Sequence, residues 1–267
     1  MAEISAALVK ELRERTGAGM MDCKRALQET NGDMEAAIVL LREKGMAGVA
    51  KRAGRETTEG LVGYRLADDG SKGTMVAVGC ETEPVSKNDE FQAFAKTVLD
   101  AVDAGGVGAE AELEPERAEL VAKLGENIAI VGAARFEAIG GGLVAAYAHP
   151  PANKLGVLLQ LRGGDAELGR KLAMHIAAAN PQWISREDAP EETVAAEREI
   201  YANTDEVLSK PEQARDKIVE GMLGKRFFGA NVLADQDWVH DGSKTVGKVL
   251  EEAGAEVLEF QRFALAG

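Results

Sequence analysis

The sequence predicts an α+β protein: an N-terminal three-helix bundle, a duplicated α+β core with antiparallel sheets, and a protruding antiparallel helical hairpin. Three observations predict it. The first 50 or so residues carry only helix signals. Two apolar strands followed by a helix then occur twice, about 80 residues apart. From residue 187 the chain becomes strongly charged, with a narrow apolar stripe at helical spacing. On this reading residues 1–54 are the bundle and the start of a linker, and 55–140 the first core half. Residues 141–186 are the second half, 187–228 the hairpin, and 229–267 the return to the second half.

In the bundle, Ser5 caps a first helix that runs to Arg15 with Leu8, Val9 and Leu12 on one side. Gly17-Ala18-Gly19 breaks it. A second helix runs from Met20 to Glu29. Asn31-Gly32-Asp33 then supplies a turn and an N-cap, and a third helix spans residues 34–44, closed by Gly45. A bundle this small has a marginal core. It resembles the ubiquitin-associated type, which is a protein-binding module. Lys51-Arg52-Ala53-Gly54-Arg55 marks residues 46–58 as a linker.

In the core, Gly60-Leu61-Val62 recurs as Gly142-Leu143-Val144, each followed by a tyrosine, Tyr64 or Tyr147. A second apolar run starts at Gly73 in one copy and Gly156 in the other, and a helix follows each, around Phe91 and around Leu172. Asp68-Asp69-Gly70 is a short polar turn between strands, so the pairs read as hairpins and the sheets as antiparallel. A helix over 116–124 and a strand over 127–136 lead into the second half, and Ile139-Gly140-Gly141-Gly142-Leu143 is a tight turn. In the hairpin, Val194, Ile200, Val207, Ile218 and Met222 make the stripe, and Ser209-Lys210-Pro211 divides the two helices. Ser243 caps a closing helix over 244–253, and 255–263 is a final strand.

Composition narrows the function classes. The net charge is −14. Residues 1–55 hold ten Lys/Arg against eight Asp/Glu, a balance of +2, and the rest hold 21 against 37, a balance of −16. An acidic body repels phosphate backbones, so direct nucleic-acid binding is not expected. No uncharged apolar run reaches about 18 residues, so no membrane helix is expected. The N-terminus lacks the apolar core of a signal peptide, which predicts the cytoplasm. Cys23 and Cys80 have no partner at metal-ligand spacing and read as reduced, buried residues.

The motifs of enzyme chemistry are absent. His149, His175 and His240 are isolated from one another, and His175 falls on an apolar helix face as a core residue would. Gly242-Ser243-Lys244-Thr245 is close to the end of a phosphate-binding loop. Ser243 stands where glycine must precede the lysine, so the match fails. Neither a nucleophile elbow nor a zinc-binding helix motif occurs. No catalytic residue, metal or cofactor is predicted.

Residues 8–27 read Leu-Val-Lys-Glu-Leu-Arg-Glu-Arg-Thr-Gly-Ala-Gly-Met-Met-Asp-Cys-Lys-Arg-Ala-Leu. This long motif resembles the signature of the elongation factor Ts family. Ala50-Lys51-Arg52-Ala53-Gly54, Cys80-Glu81-Thr82-Glu83-Pro84-Val85, Lys217-Ile218-Val219-Glu220-Gly221 and Ser243-Lys244-Thr245-Val246-Gly247 extend the resemblance over essentially the whole chain. It implies a guanine nucleotide exchange factor that binds elongation factor Tu, disturbs its Mg²⁺ and phosphate site and releases GDP in translation elongation. It implies that Arg13, Met20 and Met21 touch the GTPase, with His149 as a further contact. Residues about 100° apart on a helix cannot both point inward, which makes an exposed methionine plausible there.

The resemblance also assigns Thr82-Glu83-Pro84-Val85 to the Mg²⁺ dislocation loop. In the family that loop usually reads Thr-Asp-Phe-Val, and the Phe is the wedge. This chain has Glu83 and Pro84, and proline offers no aromatic face. Either a pre-set turn pushes a GTPase segment aside, or Phe91 or another contact does more of the work. The resemblance further implies a coiled-coil dimerisation unit at 187–226, which permits a homodimer. Two other classes compete. A generic adaptor is opposed by matches far past residue 54, and a small α+β enzyme by the missing acid–base or metal constellation.

Overall fold

The computed structural model describes residues 4–265, apart from the side chains at 46–48 and 50. The signal-peptide reading at residues 1–3 and the Ala50 side chain of the family motif lie outside the described residues. Helix α1 (Ala6–Thr16) starts where Ser5 accepts a bond from the Leu8 N–H and ends at Gly17 in the left-handed region, φ 68°. Helix α2 is Met20–Glu29. Asn31 and Gly32 both take positive φ, and Asp33 caps helix α3 through the Ala36 N–H. Val9, Leu12, Cys23, Ala26, Leu27 and Ala37 close the small core between the three helices.

Helix α3 spans Met34–Arg52 and runs straight through Gly45, so neither the closure at Gly45 nor a linker from residue 46 holds. The physical reason is a neighbour distant in sequence. A Cβ on Gly45 would stand 2.8 Å from the Cβ of Ala122. The glycine serves a close helix–helix approach rather than a left-handed cap.

Two three-stranded antiparallel sheets follow. The first has order β1 (Glu59–Leu66), β2 (Lys72–Cys80) and β3 (Ile128–Glu137). Between β2 and β3 come the four-residue helix α4 (Glu83–Ser86), α5 (Asp89–Gly105) and α6 (Glu114–Leu124). The second sheet has order β4 (Leu143–Ala148), β5 (Leu155–Arg162) and β6 (Glu256–Ala264), with α7 (Ala166–Ala179) after β5. Each copy is thus a hairpin whose second strand is joined by a third strand from farther along the chain. Alternation assigns the faces. In β2, Val76, Val78 and Cys80 face α5 and α6, while Met75 and Ala77 face the other sheet. In β5, Val157, Leu159 and Leu161 pack under α7, and Leu158 faces the first sheet. Central strands buried on both faces read as continuous apolar runs.

The hairpin consists of α8 (Glu191–Ala202), the short α9 (Asp205–Leu208) and α10 (Glu212–Met222). It has a core of its own: Val207, Val219 and Met222 are buried with Leu223, Phe227 and Phe228. Ile200 is 58% exposed, so it does not belong to the buried stripe. The π-helical turn Leu223–Phe228 and α11 (Gly229–Asn231) bring the chain back to the body. The last helix, α12 (Val246–Ala253), is capped by Thr245 through the Lys248 N–H, not by Ser243. Thr245 bridges Asp237 and Lys244 O accepts from Trp238 N, which keeps residue 244 outside the helix. Ser243 instead turns back on Asp241.

His175 is fully buried, as its helix face predicts. Its Nδ1 accepts from the Val239 N–H (3.3 Å), so Nε2–H donates to Gln236 Oε1 (2.9 Å), and its ring stacks on Trp238. Desolvation lowers its pKa, against the raising effect of the Gln236 bond, and the charge of His240 lowers it further. Cys23 and Cys80 are free and buried. Among the described residues no helix is long and apolar enough to cross a membrane.

Candidate functional site

The residues of interest lie at one end of the stacked sheets and on the bundle beside it. Strand β2 delivers the chain to Cys80, whose Sγ donates to Thr82 O (3.3 Å). Burial pushes the Cys80 thiol up to about 12, with the carboxylates of Glu126 and Glu59 adding to the effect. Residues 82–85, read from the sequence as a loop, form the N-cap and first turn of α4. Thr82 is extended, and Pro84 sits in the first turn, where its fixed φ suits a helix. Thr82, Glu83 and Pro84 are exposed, while Val85 packs against the first-half core. Glu83 and Lys87 form an ion pair at 2.7 Å. The bond from Lys87 lowers the Glu83 pKa, and Lys154 contributes in the same direction. Asn88 then caps α5 by accepting from Glu90 N and Phe91 N.

Phe91 is fully buried in that core. The alternative in which Phe91 replaces the missing wedge therefore fails, because a side chain enclosed by Val78, Val98 and Ile128 has no surface for a partner.

The loop between β4 and β5 abuts the same end. Asn153 O accepts from Val62 N (2.7 Å), and Lys154 pairs with Glu59 at the start of β1. Lys154 O also accepts from Leu265 N. His149 is exposed, with its Nδ1 2.7 Å from the Tyr147 hydroxyl and its backbone held by Leu155 and Asn153. No hydrogen bond joins His149 to residues 82–85 among the described residues. The two segments are neighbours through Glu59 and Lys154, whose charges reach Lys87 and Glu83.

On the bundle, Met20 is 53% and Met21 64% exposed at the start of α2, and Arg13 is exposed on α1. Arg13 makes no ion pair among the described residues, whereas Arg15 is held by Glu35 (2.6 Å). The bundle meets the body through α6. Lys123 lies against Gly17 and pairs with Glu90 at the start of α5 (2.6 Å), and Gly45 sits on Ala122. The bundle that carries Met20 and Met21 is thus joined to the body at the C-terminal part of α6.

Sequence reasoning missed the residues that hold this arrangement: Glu59, Glu81, Glu126, Asn127 and Lys154. Their partners are dozens of residues away, so no local spacing marks them. Among the described residues, no group of three His, Cys, Asp or Glu side chains is placed to hold a metal ion. The turn presents the Glu83–Lys87 ion pair to solvent, and the bundle presents Arg13, Met20 and Met21.

A family model described as elongation factor TS matches residues 81–267. A protein named elongation factor Ts from Thioalkalivibrio sulfidiphilus is 45% identical over 270 residues, covering 97% of this chain and 91% of its own length. The protein of that name from Methylococcus capsulatus is 43% identical over 273 residues, with the same coverage. The one from Escherichia coli is 45% identical over 267 residues, covering 98% of this chain and 92% of its own.

Proposed function

This chain belongs to the elongation factor Ts family of translation elongation factors, and from that premise we propose that it is the guanine nucleotide exchange factor of elongation factor Tu. In this reading it binds the GDP-bound GTPase, disturbs the Mg²⁺ and phosphate site, and releases GDP so that GTP rebinds. It acts in the cytoplasm and catalyses no covalent step.

The observation that carries the reading is the pairing of two exposed surfaces through α6. Met20 and Met21 stand unpacked on the bundle, which rests on α6, and the exposed turn at residues 82–85 is tied to Glu126 just past the end of that helix. We assign Arg13, Met20 and Met21 to docking on the GTPase domain, His149 to a second docking contact, and Thr82, Glu83, Pro84 and Val85 to displacement. Methionine is a soft, adaptable contact. The Pro84 turn is pre-set, so displacing a GTPase segment costs it little ordering entropy. Exchange then follows from linkage: the factor and GDP prefer different conformations of one GTPase, and each weakens the other by the same factor. Mg²⁺ holds the nucleotide phosphates and switch loops, so shifting its surroundings raises the GDP off-rate.

The test is release of a fluorescent GDP analogue from purified elongation factor Tu in excess unlabelled GDP. A release rate that rises and saturates with this protein is expected. A Pro84→Phe variant run alongside reads whether the wedge position limits the rate. A flat off-rate with complex still formed would leave an adaptor and remove residues 82–85 from the displacement role. The family resemblance also assigns self-association to the hairpin, and sedimentation of an Ile200→Glu variant beside the parent protein tests that assignment.

A further inference from the structure

Thr82 is the N-cap residue of α4, yet its hydroxyl caps nothing in that helix. The second helical position is Pro84, which has no N–H to offer. The hydroxyl donates instead to Glu126 Oε1 (2.6 Å), and the Thr82 N–H donates to Oε2 of the same carboxylate (3.0 Å). One residue along each chain the exchange is reversed. The Asn127 N–H donates to Glu81 Oε1 (2.6 Å), while Asn127 Nδ2 donates to Arg55 O (2.7 Å). The Arg55 guanidinium completes the set on Glu81 (3.2 Å). Glu81-Thr82 and Glu126-Asn127 thus grip each other by carboxylate-to-backbone bonds across 44 and 46 residues of chain. Such charge-assisted bonds are about twice as strong as neutral ones.

The position of Glu126 is set by α6. Gly125, in the left-handed region at φ 78°, ends that helix and turns the chain, so that Glu126 projects toward the end of β2. The same helix carries the bundle, through Ala122 under Gly45 and Lys123 against Gly17. The bundle rests on the last turns of α6, at Ala122 and Lys123 and through Arg42 on Glu119 (3.8 Å), and the residue 82–85 turn hangs from Glu126, just past the end of the same helix.

We propose that Glu126 is the positioning residue of the residue 82–85 turn, and that α6 is the spacer that sets the turn's place relative to the docking bundle. This rests on the assignment of bundle and turn to docking and displacement. Glu126 is half-buried and its two oxygens are taken up by Thr82, so it acts through the turn and not by touching the partner.

That division of labour has a kinetic signature. A turn released from Glu126 leaves the bundle free to dock, so the concentration needed for half-maximal effect holds while the maximal rate falls. In the GDP-release assay, Glu126→Gln is expected to lower the maximal rate about tenfold and to move the half-saturating concentration by less than about twofold. Amide hydrogen exchange is expected to quicken at residues 82–87 and to stay unchanged at residues 23–41. Thr82→Val, which keeps the N–H and loses the hydroxyl, is expected to show a smaller loss of the same kind, and the double variant no more loss than Glu126→Gln alone. Thr82→Val carries the test by itself if Glu126→Gln does not fold by circular dichroism.

A raised half-saturating concentration with an unchanged maximum would put Glu126 in docking and overturn the proposal. So would unchanged kinetics alongside faster amide exchange. A Pro84→Gly variant separates the two levels. If it slows release while Glu126→Gln does not, the turn keeps its role and the positioning role falls. If both are normal, the displacement assignment of the turn falls with it.

Discussion

Gly45 and Ala122 meet where α3 crosses α6, at a separation that leaves no room for a second methyl group: a Cβ on Gly45 would stand 2.8 Å from that of Ala122. Glycine inside a helix ordinarily costs about 1 kcal/mol relative to alanine. Gly45→Ala would therefore stabilise an isolated α3. Here the contact reverses the sign, because overpacking costs about 1–3 kcal/mol. A net loss is expected, seen as a lower urea midpoint with an unchanged slope. Gly54→Ala is the control: among the described residues, its two chain neighbours aside, no atom lies within 4 Å of its added Cβ, and it is expected to be neutral within about 0.5 kcal/mol.

Met21 is 64% exposed and supports no core. Met21→Ala should leave the thermal midpoint in place. If Met21 docks on the GTPase, the half-saturating concentration for GDP release should rise about tenfold, which is about 1.4 kcal/mol. An unchanged titration curve would take Met21 out of the docking surface.

His175 makes stability depend on pH. Burial holds its folded pKa below the ordinary 6.5. As pH falls below 6.5 the unfolded chain takes up a proton that the folded chain refuses. Stability should therefore fall with pH from about 6.5 until the depressed folded value is reached, and be independent of this group above that window. Protonation would also put a hydrogen on Nδ1, where the Val239 N–H already points. The slope is at most about 1.4 kcal/mol per pH unit for one proton. Urea melts between pH 7.5 and 5 should show it, and His175→Gln should flatten it. An equal slope in the variant would take the effect away from His175.

The thiols should be silent in the folded protein. Cys80 is fully buried and its pKa is pushed up to about 12, and Cys23 is fully buried in the bundle core. Thiolate is the reactive form. A disulfide reagent at pH 8 is expected to find no thiol in native protein and both in denaturant. Rapid labelling of one thiol under native conditions would report local opening, and its position would tell whether bundle or core opens.

Local chemistry was legible along the chain wherever a residue answers to neighbours within a turn or two. Ser5 and Asp33 cap α1 and α3 as their side chains dictate, Gly17 ends α1, and Asp69-Gly70 turns the first hairpin. The strand–strand–helix repeat was visible because its central strands are continuous apolar runs and its helices carry an apolar face. Helical geometry required only that Met20 and Met21 not both point inward, and the structure exposes both. The roles of Gly45, Ser243 and residues 82–85 were not legible in this way. Gly45 has the composition of a helix end, and only Ala122, 77 residues on, makes it a crossing point. Ser243 has the chemistry of a cap, but a bridge between Asp237 and Thr245 moves the cap to Thr245. Thr82 has the chemistry of a cap, but Pro84 offers its hydroxyl no N–H and the hydroxyl donates to Glu126, 44 residues on. In each case a residue type that suits two local structures is decided by a contact that its own helix turn does not contain, from a distant segment for Gly45 and Thr82 and from across the loop of residues 237–245 for Ser243. Such a contact exists only once the chain has folded back on itself, because a hydrogen bond or a steric clash acts over about 3 Å of space, whatever the distance along the chain.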